Sequence, residues 1–236
     1  SDPDPLAAFR RVNVAGSCAL ARQAAEAGVK RLIYLSSVKV NGERTEGRAY
    51  SADDPVHPQD AYGISKWEAE QALQQIAEQT DLELVIVRPV LVYGAGVKGN
   101  FERLMKLVRT GVPLPLGGIS NRRSLLSIQN LLDFIRCCIE HPDAPGEVFL
   151  VADGEDLSTP ELIRKMAHLQ QSRTRLFPVP LTLLHLAGRL TGRSAMVARL
   201  TEDLQVDLAK NRERLGWTPV IEAEQALLEM VSAGNG

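Results

Sequence analysis

The feature that most constrains the fold is an apolar strand, a long helix and a second apolar strand in succession. Arg31–Leu35 and Glu83–Arg88 are short runs rich in Leu, Ile and Val, which is typical of buried strands. Between them, Ala61–Glu78 has apolar residues at helical spacing, and Asp60 is placed to cap this helix. A strand, a crossover helix and a strand predict parallel pairing with a right-handed connection. The sequence therefore predicts an α/β fold.

The second half of the chain is more helical, with two short strands predicted at Ser124–Ile128 and Glu147–Val151. We predict a partial doubly wound (Rossmann-like) parallel sheet over residues 1–92. A smaller mixed C-terminal lobe is predicted over 93–236, with a return to the core near 124–152. The other predicted helices are Leu6–Ala27, Phe101–Val108, Gln129–Glu140, Thr159–His168, Pro180–Leu190 and Glu222–Val231.

Tyr62 and Lys66 lie one helical turn apart, so both side chains project from the same helix face. A nearby ammonium favours the phenolate form of a tyrosine, whose ordinary pKa is about 10. Lowering that pKa to about 7 needs about 4 kcal/mol of differential interaction. Such a pair can act as a general acid and base. Tyr and Lys at this spacing are also common on amphipathic helices, so a structural role stays open for the pair alone.

Ser36 and Ser37 follow the first predicted strand, at the start of a loop that ends at Gly42. In open α/β sheets, ligands lie outside the carboxyl ends of the strands. A serine there can donate a hydrogen bond to a substrate oxygen, and a turn or capping role is the alternative. A strand-end serine followed by Tyr-x-x-x-Lys on a helix and then by another strand favours an enzyme site.

Further motifs continue this order along nearly the whole chain. They are Asn13-Val-Ala-Gly16, Ser36-Ser-Val-Lys-Val-Asn-Gly42, Tyr62-Gly-Ile-Ser-Lys66, Arg88-Pro-Val-Leu-Val-Tyr-Gly94, Gly99-Asn-Phe101 and Leu215-Gly-Trp-Thr-Pro219. The ordered set resembles the extended short-chain dehydrogenase/reductases, specifically the NAD-dependent epimerase/dehydratase family that acts on nucleotide sugars. Asn41 departs from the pattern, because the family usually has Tyr there.

The resemblance implies catalytic roles for Ser37, Tyr62, Lys66 and Asn13. Tyr62 would be the general acid/base on a sugar hydroxyl, and Ser37 would donate a hydrogen bond to the same sugar oxygen. Lys66 would lower the pKa of Tyr62 and bind the nicotinamide ribose. Asn13 would help to order the site, with a local pairing inside its helix as the alternative.

The resemblance also implies ligand contacts, with NAD as the cofactor and NADP left open. Arginine suits a diphosphate because its planar fork engages phosphate oxygens. Arg122 is an immediate rival to Arg123 for this role. The implied cofactor-binding residues are Tyr62, Lys66, Ser36 and Pro89, and the implied substrate-binding residues are Ser37, Asn100 and Arg123.

The implied activity is that of an NAD-dependent nucleotide-sugar epimerase, which oxidises and re-reduces sugar C4, with a UDP-sugar favoured. One alternative is a nucleotide-sugar 4-keto reductase or dehydrogenase, and another is a catalytically silent nucleotide-binding protein. A dehydratase is disfavoured, because Val38 and Lys39 stand where the resembled dehydratases carry an Asp-Glu pair.

Members of this family open with a strand, a glycine-rich turn and a helix that hold the cofactor pyrophosphate. This sequence starts with Ser1-Asp-Pro-Asp-Pro-Leu6 and passes directly into a helical pattern. We therefore expect an N-terminal cofactor-binding segment, on the order of a hundred residues, to be missing. We also expect this chain alone to bind NAD weakly, which is the reason for the silent alternative.

Charge and cysteine content narrow the expected partners and location. The net charge of −2 over 236 residues predicts neither a nucleic acid nor a membrane as partner. Cys18, Cys137 and Cys138 predict reduced thiols in a cytoplasmic protein, and four scattered histidines predict no metal site. The resemblance leaves a homodimer open, through the helices before Gly28 and after Asp60.

Overall fold

The computed structural model describes residues 4–96 and 99–233. The described helices are α1 Pro5–Phe9, α2 Ser17–Glu26, α3 Ala61–Glu78, α4 Asn100–Arg109, α5 Ile128–Glu140, α6 Thr159–Leu169, α7 Leu181–Leu190, α8 Ser194–Thr201, α9 Ala209–Leu215 and α10 Ala223–Ala233. The described strands are β1 Arg31–Leu35, β2 Glu83–Pro89, β3 Leu91–Tyr93, β4 Arg123–Ser127, β5 Val148–Val151 and β6 Asp156–Leu157. A π-helical segment, Arg10–Gly16, joins α1 to α2, and a 3-10 turn spans Val38–Val40.

The predicted strand–helix–strand unit is confirmed. β1 and β2 pair in parallel, from Arg31 opposite Glu83 to Leu35 opposite Val87. The connecting helix α3 has the predicted bounds, and Asp60 caps it by accepting a hydrogen bond from the Gly63 N–H at 2.7 Å. Local capping chemistry is therefore sufficient to place the start of this helix.

Six described strands form two three-stranded sheets. The first has the order β1-β2-β5 with parallel pairing throughout, and the second has the order β3-β4-β6. β5 returns the chain to the first sheet, whereas β4 lies in the second sheet beside β3. Within the described residues, β1 pairs with β2 alone, so its other edge carries no strand. The division of the chain at residues 92 and 93 stays a prediction.

Both faces of the first sheet are covered by apolar side chains, because alternate residues of β2 point to opposite faces. Leu84 and Ile86 pack with Ala69 and Leu73 of α3 on one face. The other face packs against α5 and the C-terminal part of the chain. Its cluster includes Val85, Val87, Phe134, Phe149, Leu150 and Trp217. A sheet buried on both faces is the arrangement expected for parallel strands.

Several elements differ from the sequence-based prediction. The helix predicted over Leu6–Ala27 is interrupted by the π-helical segment. The sequence pattern also missed two short strands and two short helices. These are β3, β6, α8 and α9.

Within the described residues, no helix is both long and apolar enough to span a membrane. No group of three or more His, Cys, Asp or Glu side chains in that part of the chain could hold a metal ion.

Candidate active site

The loop after β1 lies directly against the first turn of α3. Val38 and Val40 anchor the loop because both are buried, and Ser37 caps the 3-10 turn. A Cβ atom on Gly63 would lie only 2.9 Å from the Lys39 carbonyl oxygen. Glycine therefore permits the close approach that brings the loop carrying Ser37 to the helix carrying Tyr62.

The structure brings Tyr62 and Lys66 together at the carboxyl end of β1. Lys66 Nζ lies 5.9 Å from the centroid of the Tyr62 ring. It donates hydrogen bonds to the Leu35 carbonyl at 2.7 Å and to the Tyr34 hydroxyl at 3.3 Å. The ring of Phe9 packs edge-on against Tyr62 at 5.5 Å between centroids. The ammonium is thus fixed at the strand end by neutral oxygens.

The pKa values of both groups differ from their ordinary values. Burial lowers the pKa of Lys66, and the charge of Glu70 opposes this effect only in part. Burial raises the pKa of Tyr62, and it outweighs the nearby positive charge of Lys39. The sequence-based expectation that Lys66 lowers the pKa of Tyr62 is therefore not met in the protein alone, because desolvation of the phenol dominates.

Lys39 belongs to a charged cluster at the edge of this site. Its Nζ donates a hydrogen bond to Glu43 Oε1 at 2.7 Å and another to Asp60 Oδ2. The sequence motifs did not indicate Lys39 as a site residue. A signal was present, since a lysine between two buried valines in a strand-end loop must direct its charge toward solvent or toward a partner.

Asn13 is connected to the backbone of the Tyr62 turn through one intervening side chain. Its Nδ2 donates a hydrogen bond to Ser65 Oγ at 2.9 Å, and Ser65 Oγ donates to the Tyr62 carbonyl at 2.8 Å. Asn13 lies in the π-helical segment, a distortion that often marks functional positions. It pairs with a different helix, so the alternative of a local pairing inside its own helix does not describe it.

The two serines at the end of β1 have different surroundings. Ser36 Oγ is buried and has no hydrogen-bond partner among the described residues. Ser37 is half-buried, and its Oγ accepts a hydrogen bond from the Lys39 N–H at 3.3 Å. A buried hydroxyl without a partner is uncommon and is therefore suited to a ligand atom. Pro89, the last residue of β2, lies at the carboxyl end of the neighbouring strand.

A buried ion pair holds the elements behind the site. Arg88 donates to Glu70 at 3.0 Å and 2.6 Å, and its third contact is the Asn41 side-chain oxygen at 3.1 Å. Asn41 also donates to the Ser51 carbonyl at 3.3 Å. The departure from the family pattern at this position is thus explained, because Asn41 accepts a hydrogen bond from Arg88 inside the fold.

The substrate-binding candidates in the second half of the chain are less closely grouped. Arg123 donates to the Glu202 carbonyl at 3.0 Å, and burial lowers its pKa. Glu43 opposes this shift, so Arg123 lies within electrostatic reach of the charged cluster around Lys39. Arg122 instead lines a separate open cleft of about 590 Å³ with Arg164. Asn100 begins α4, and its side chain lies outside the described part of the structure.

Comparison with known protein families identifies the family of this chain. The model of the NAD dependent epimerase/dehydratase family matches residues 3–152, which is more than half of the chain. The chain belongs to this family. The prediction made from the ordered motifs is therefore confirmed.

Two relatives are similar over most of this chain. A UDP-glucose 4-epimerase of Vibrio cholerae is 50% identical over 220 residues, covering 92% of this chain and 67% of the relative. An N-acetyl-alpha-D-glucosaminyl-diphospho-ditrans,octacis-undecaprenol 4-epimerase of Escherichia coli O157:H7 is 30% identical over 182 residues, covering 75% of this chain and 53% of the relative. The chain thus spans about two thirds of the first relative's length and about half of the second's.

Two solved structures show the same fold. A UDP-glucose 4-epimerase of Thermotoga maritima with UDP-glucose superposes with a TM-score of 0.77 at 21% identity, covering 98% of this chain and 71% of that one. The Bordetella bronchiseptica enzyme WbmG in complex with NAD and UDP gives a TM-score of 0.76 at 22% identity. The match covers 100% of this chain and 68% of that one. The predicted α/β class with a partial Rossmann-like sheet is therefore confirmed.

Proposed function

We propose that this protein is an NAD-dependent nucleotide-sugar epimerase that inverts the configuration at sugar C4, with a UDP-sugar as substrate. The observation that carries the proposal is the fixed position of Lys66 beside Tyr62 at the carboxyl end of a parallel strand. Membership of the epimerase/dehydratase family and the identity of 50% to the Vibrio cholerae enzyme support it.

The residues at the strand ends fit a nicotinamide cofactor. Ser36 offers a buried hydroxyl without a protein partner, and Lys66 offers an ammonium bonded only to neutral oxygens among the described residues. We assign Tyr62, Lys66, Ser36 and Pro89 to NAD binding. When bound, NAD supplies the hydride acceptor, and afterwards the hydride donor, for sugar C4.

Tyr62 is assigned the exchange of a proton with the C4 hydroxyl. Its raised pKa keeps the phenol protonated at neutral pH, and this form can donate a proton to the C4 oxygen when the keto sugar is reduced. The oxidative half-reaction needs the phenolate, which the positive charge of Lys39 favours. Lys39 therefore affects how readily the phenol releases its proton.

Three further residues complete the proposed site. Ser37 would donate a hydrogen bond to the same sugar oxygen. Asn13 would position the Tyr62 turn through Ser65. Arg123, together with Asn100, would bind the diphosphate.

The interconversion of UDP-galactose and UDP-glucose with added NAD tests this proposal. We expect Tyr62→Phe to lower kcat by about 10²–10⁴, the usual range for the loss of a general acid/base, with the Kd for UDP unchanged. Tyr50→Phe is the matched control, because among the residues that the structure describes that hydroxyl donates only to the Arg44 carbonyl. Full turnover by Tyr62→Phe would refute the catalytic assignment.

The same assay separates the alternatives. An epimerase shows no net cofactor oxidation at steady state, whereas a 4-keto reductase consumes reduced cofactor in proportion to product. A wild-type chain that binds UDP without any turnover would instead be the silent nucleotide-binding protein.

We further propose a homodimer and a cytoplasmic location. The dimer is supported by two exposed apolar residues near α2, Val12 and Leu20. The cytoplasmic location is supported by the three free cysteines. Sedimentation equilibrium of the wild type and of Leu20→Gln tests the dimer, since loss of an interface leucine would favour the monomer. A wild type that is monomeric at all accessible concentrations would exclude it.

A further inference from the structure

Helices α7 and α8 form a helical hairpin in which one face of α7 packs on α8. Gly188 is the buried position of α7, and a Cβ atom there would lie 2.7 Å from Val197 Cγ2. The hairpin thus closes on a small residue, and the large apolar residues of α7 lie elsewhere on the helix.

Leucines occupy the side of α7 that faces away from α8. Leu183, Leu186 and Leu190 are exposed to 53%, 51% and 79%, and they are spaced by three and four residues. This spacing places them on one stripe, on the opposite side of the helix from Gly188. We call these three residues the leucine face. An ordinary surface helix turns its apolar stripe toward the core, so α7 has the reverse orientation.

The leucine face lies in the most basic part of the chain. Residues 162–201 contain no Asp or Glu and seven Lys or Arg, although the whole chain has a net charge of −2. Arg189, Arg193 and Arg199 of the hairpin are exposed. Among the described residues, their side chains have no hydrogen-bond or ion-pair partner. The hairpin that carries the leucine face therefore also carries three exposed positive charges that no described protein group neutralises.

We propose that the leucine face and the three hairpin arginines form a docking surface for an anionic lipid bilayer. A helix with an exposed leucine stripe and cationic flanks is suited to lie in the plane of a membrane interface. Arginines beside that plane are attracted to anionic headgroups. A second copy of this chain fits less well, because two such surfaces would bring like charges together.

The net charge of the chain predicted no membrane partner. The proposed docking surface departs from that prediction. The net charge of the whole chain does not reveal the local excess of positive charge over residues 162–201, because the acidic residues lie elsewhere in the sequence. None of its residues is assigned to the candidate active site, although the charge of Arg199 reaches Arg123, the proposed diphosphate ligand.

Flotation of the whole chain with vesicles of phosphatidylcholine alone, or of phosphatidylcholine mixed with phosphatidylglycerol, tests the proposal. We expect binding to the anionic vesicles to exceed binding to the neutral ones by at least about tenfold, and to weaken with salt. Leu183→Gln/Leu186→Gln/Leu190→Gln should reduce it by at least about tenfold. Arg189→Gln/Arg193→Gln/Arg199→Gln should remove the preference for anionic vesicles. Each arginine lost should weaken the affinity for these vesicles by about fivefold.

The matched control replaces three exposed apolar residues of other helices, Leu132→Gln/Ile139→Gln/Leu228→Gln, which should bind as the wild type does. Circular dichroism and thermal unfolding check that each variant is folded. Absence of wild-type binding, or equal binding by the leucine-face and control variants, would overturn the proposal. A wild-type dimer that becomes monomeric in the leucine-face variant, without vesicle binding, would show a self-interface instead.

Discussion

Lys66 and Glu70 lie one turn apart on α3, yet their charged groups have different hydrogen-bond partners. Glu70 is 0% exposed and accepts two hydrogen bonds from Arg88, so its charge is fully paired inside the fold. Lys66 is half-buried, and within residues 4–96 and 99–233 it donates only to the neutral oxygens of Leu35 and Tyr34. A buried charge with an opposite partner fixes structure, whereas a buried charge without one remains available to act on a neighbouring group.

The same contrast separates the interior of the sheet from its carboxyl end. The Arg88–Glu70 pair joins β2 to α3, and its contact with Asn41 extends to the loop after β1. Tyr62 and Lys66 lie on the exposed side of that assembly, where the loop carrying Ser37 ends. The ion pair therefore supports the positions of the candidate catalytic groups.

Glu70→Ala is expected to have the largest effect on stability. It leaves Arg88 as an uncompensated buried charge, which typically costs about 3–5 kcal/mol. Urea unfolding of both proteins measures this loss. The matched control is Glu68→Ala on the same helix, because Glu68 pairs with the exposed Arg10 and should contribute little. Equal losses in the two variants would show that Glu70 has no special structural role.

Lys39→Met is expected to have an intermediate effect, on activity. Lys39 is the positive group that opposes the raised pKa of Tyr62, so its removal destabilises the phenolate and raises that pKa further. The ascending limb of the kcat/KM profile should then move to higher pH, with activity at neutral pH lower on the order of tenfold. Lys39→Arg should keep the wild-type profile. An unchanged profile in Lys39→Met would exclude electrostatic control by this lysine.

Asp60→Ala is expected to have the smallest effect, about 1 kcal/mol of stability from the lost helix cap. Burial alone would raise the pKa of Asp60, but the hydrogen bonds from Lys39 and from the Gly63 N–H lower it overall. The stabilisation is therefore complete above the unfolded-state pKa of about 4 and is lost as the pH falls through the lower folded value. Urea midpoints of both proteins from neutral pH into acid measure the difference. A difference that grows in acid would contradict the capping role.

The elements that the sequence predicted well are those with local signals. The bounds of α3 follow from its capping aspartate and its apolar spacing, both of which are readable within the helix itself. The strands β3 and β6 were missed because they have three and two residues, and their hydrogen bonds come from β4. Such strands exist only through distant partners, which a local pattern does not contain.

The candidate site shows the same limit. The proximity of Tyr62 to Lys66 was predictable, since both lie on one helix face. The bonds from Lys66 to Tyr34 and Leu35 were not, because they cross from α3 to β1 over more than thirty residues of sequence. The burial of Tyr62 was not predictable from the sequence either. This burial raises the pKa of Tyr62, whereas the sequence led us to expect a lower pKa.

The most direct test is to measure both turnover and unfolding of Lys66→Met. We expect UDP-galactose turnover to fall by at least about a hundredfold, because the ammonium beside Tyr62 is lost. The urea midpoint should stay close to that of the wild type, since Lys66 forms no ion pair with any described acidic side chain. A large loss of stability with turnover retained would contradict this division of roles, and would place Lys66 with Glu70 as a structural residue.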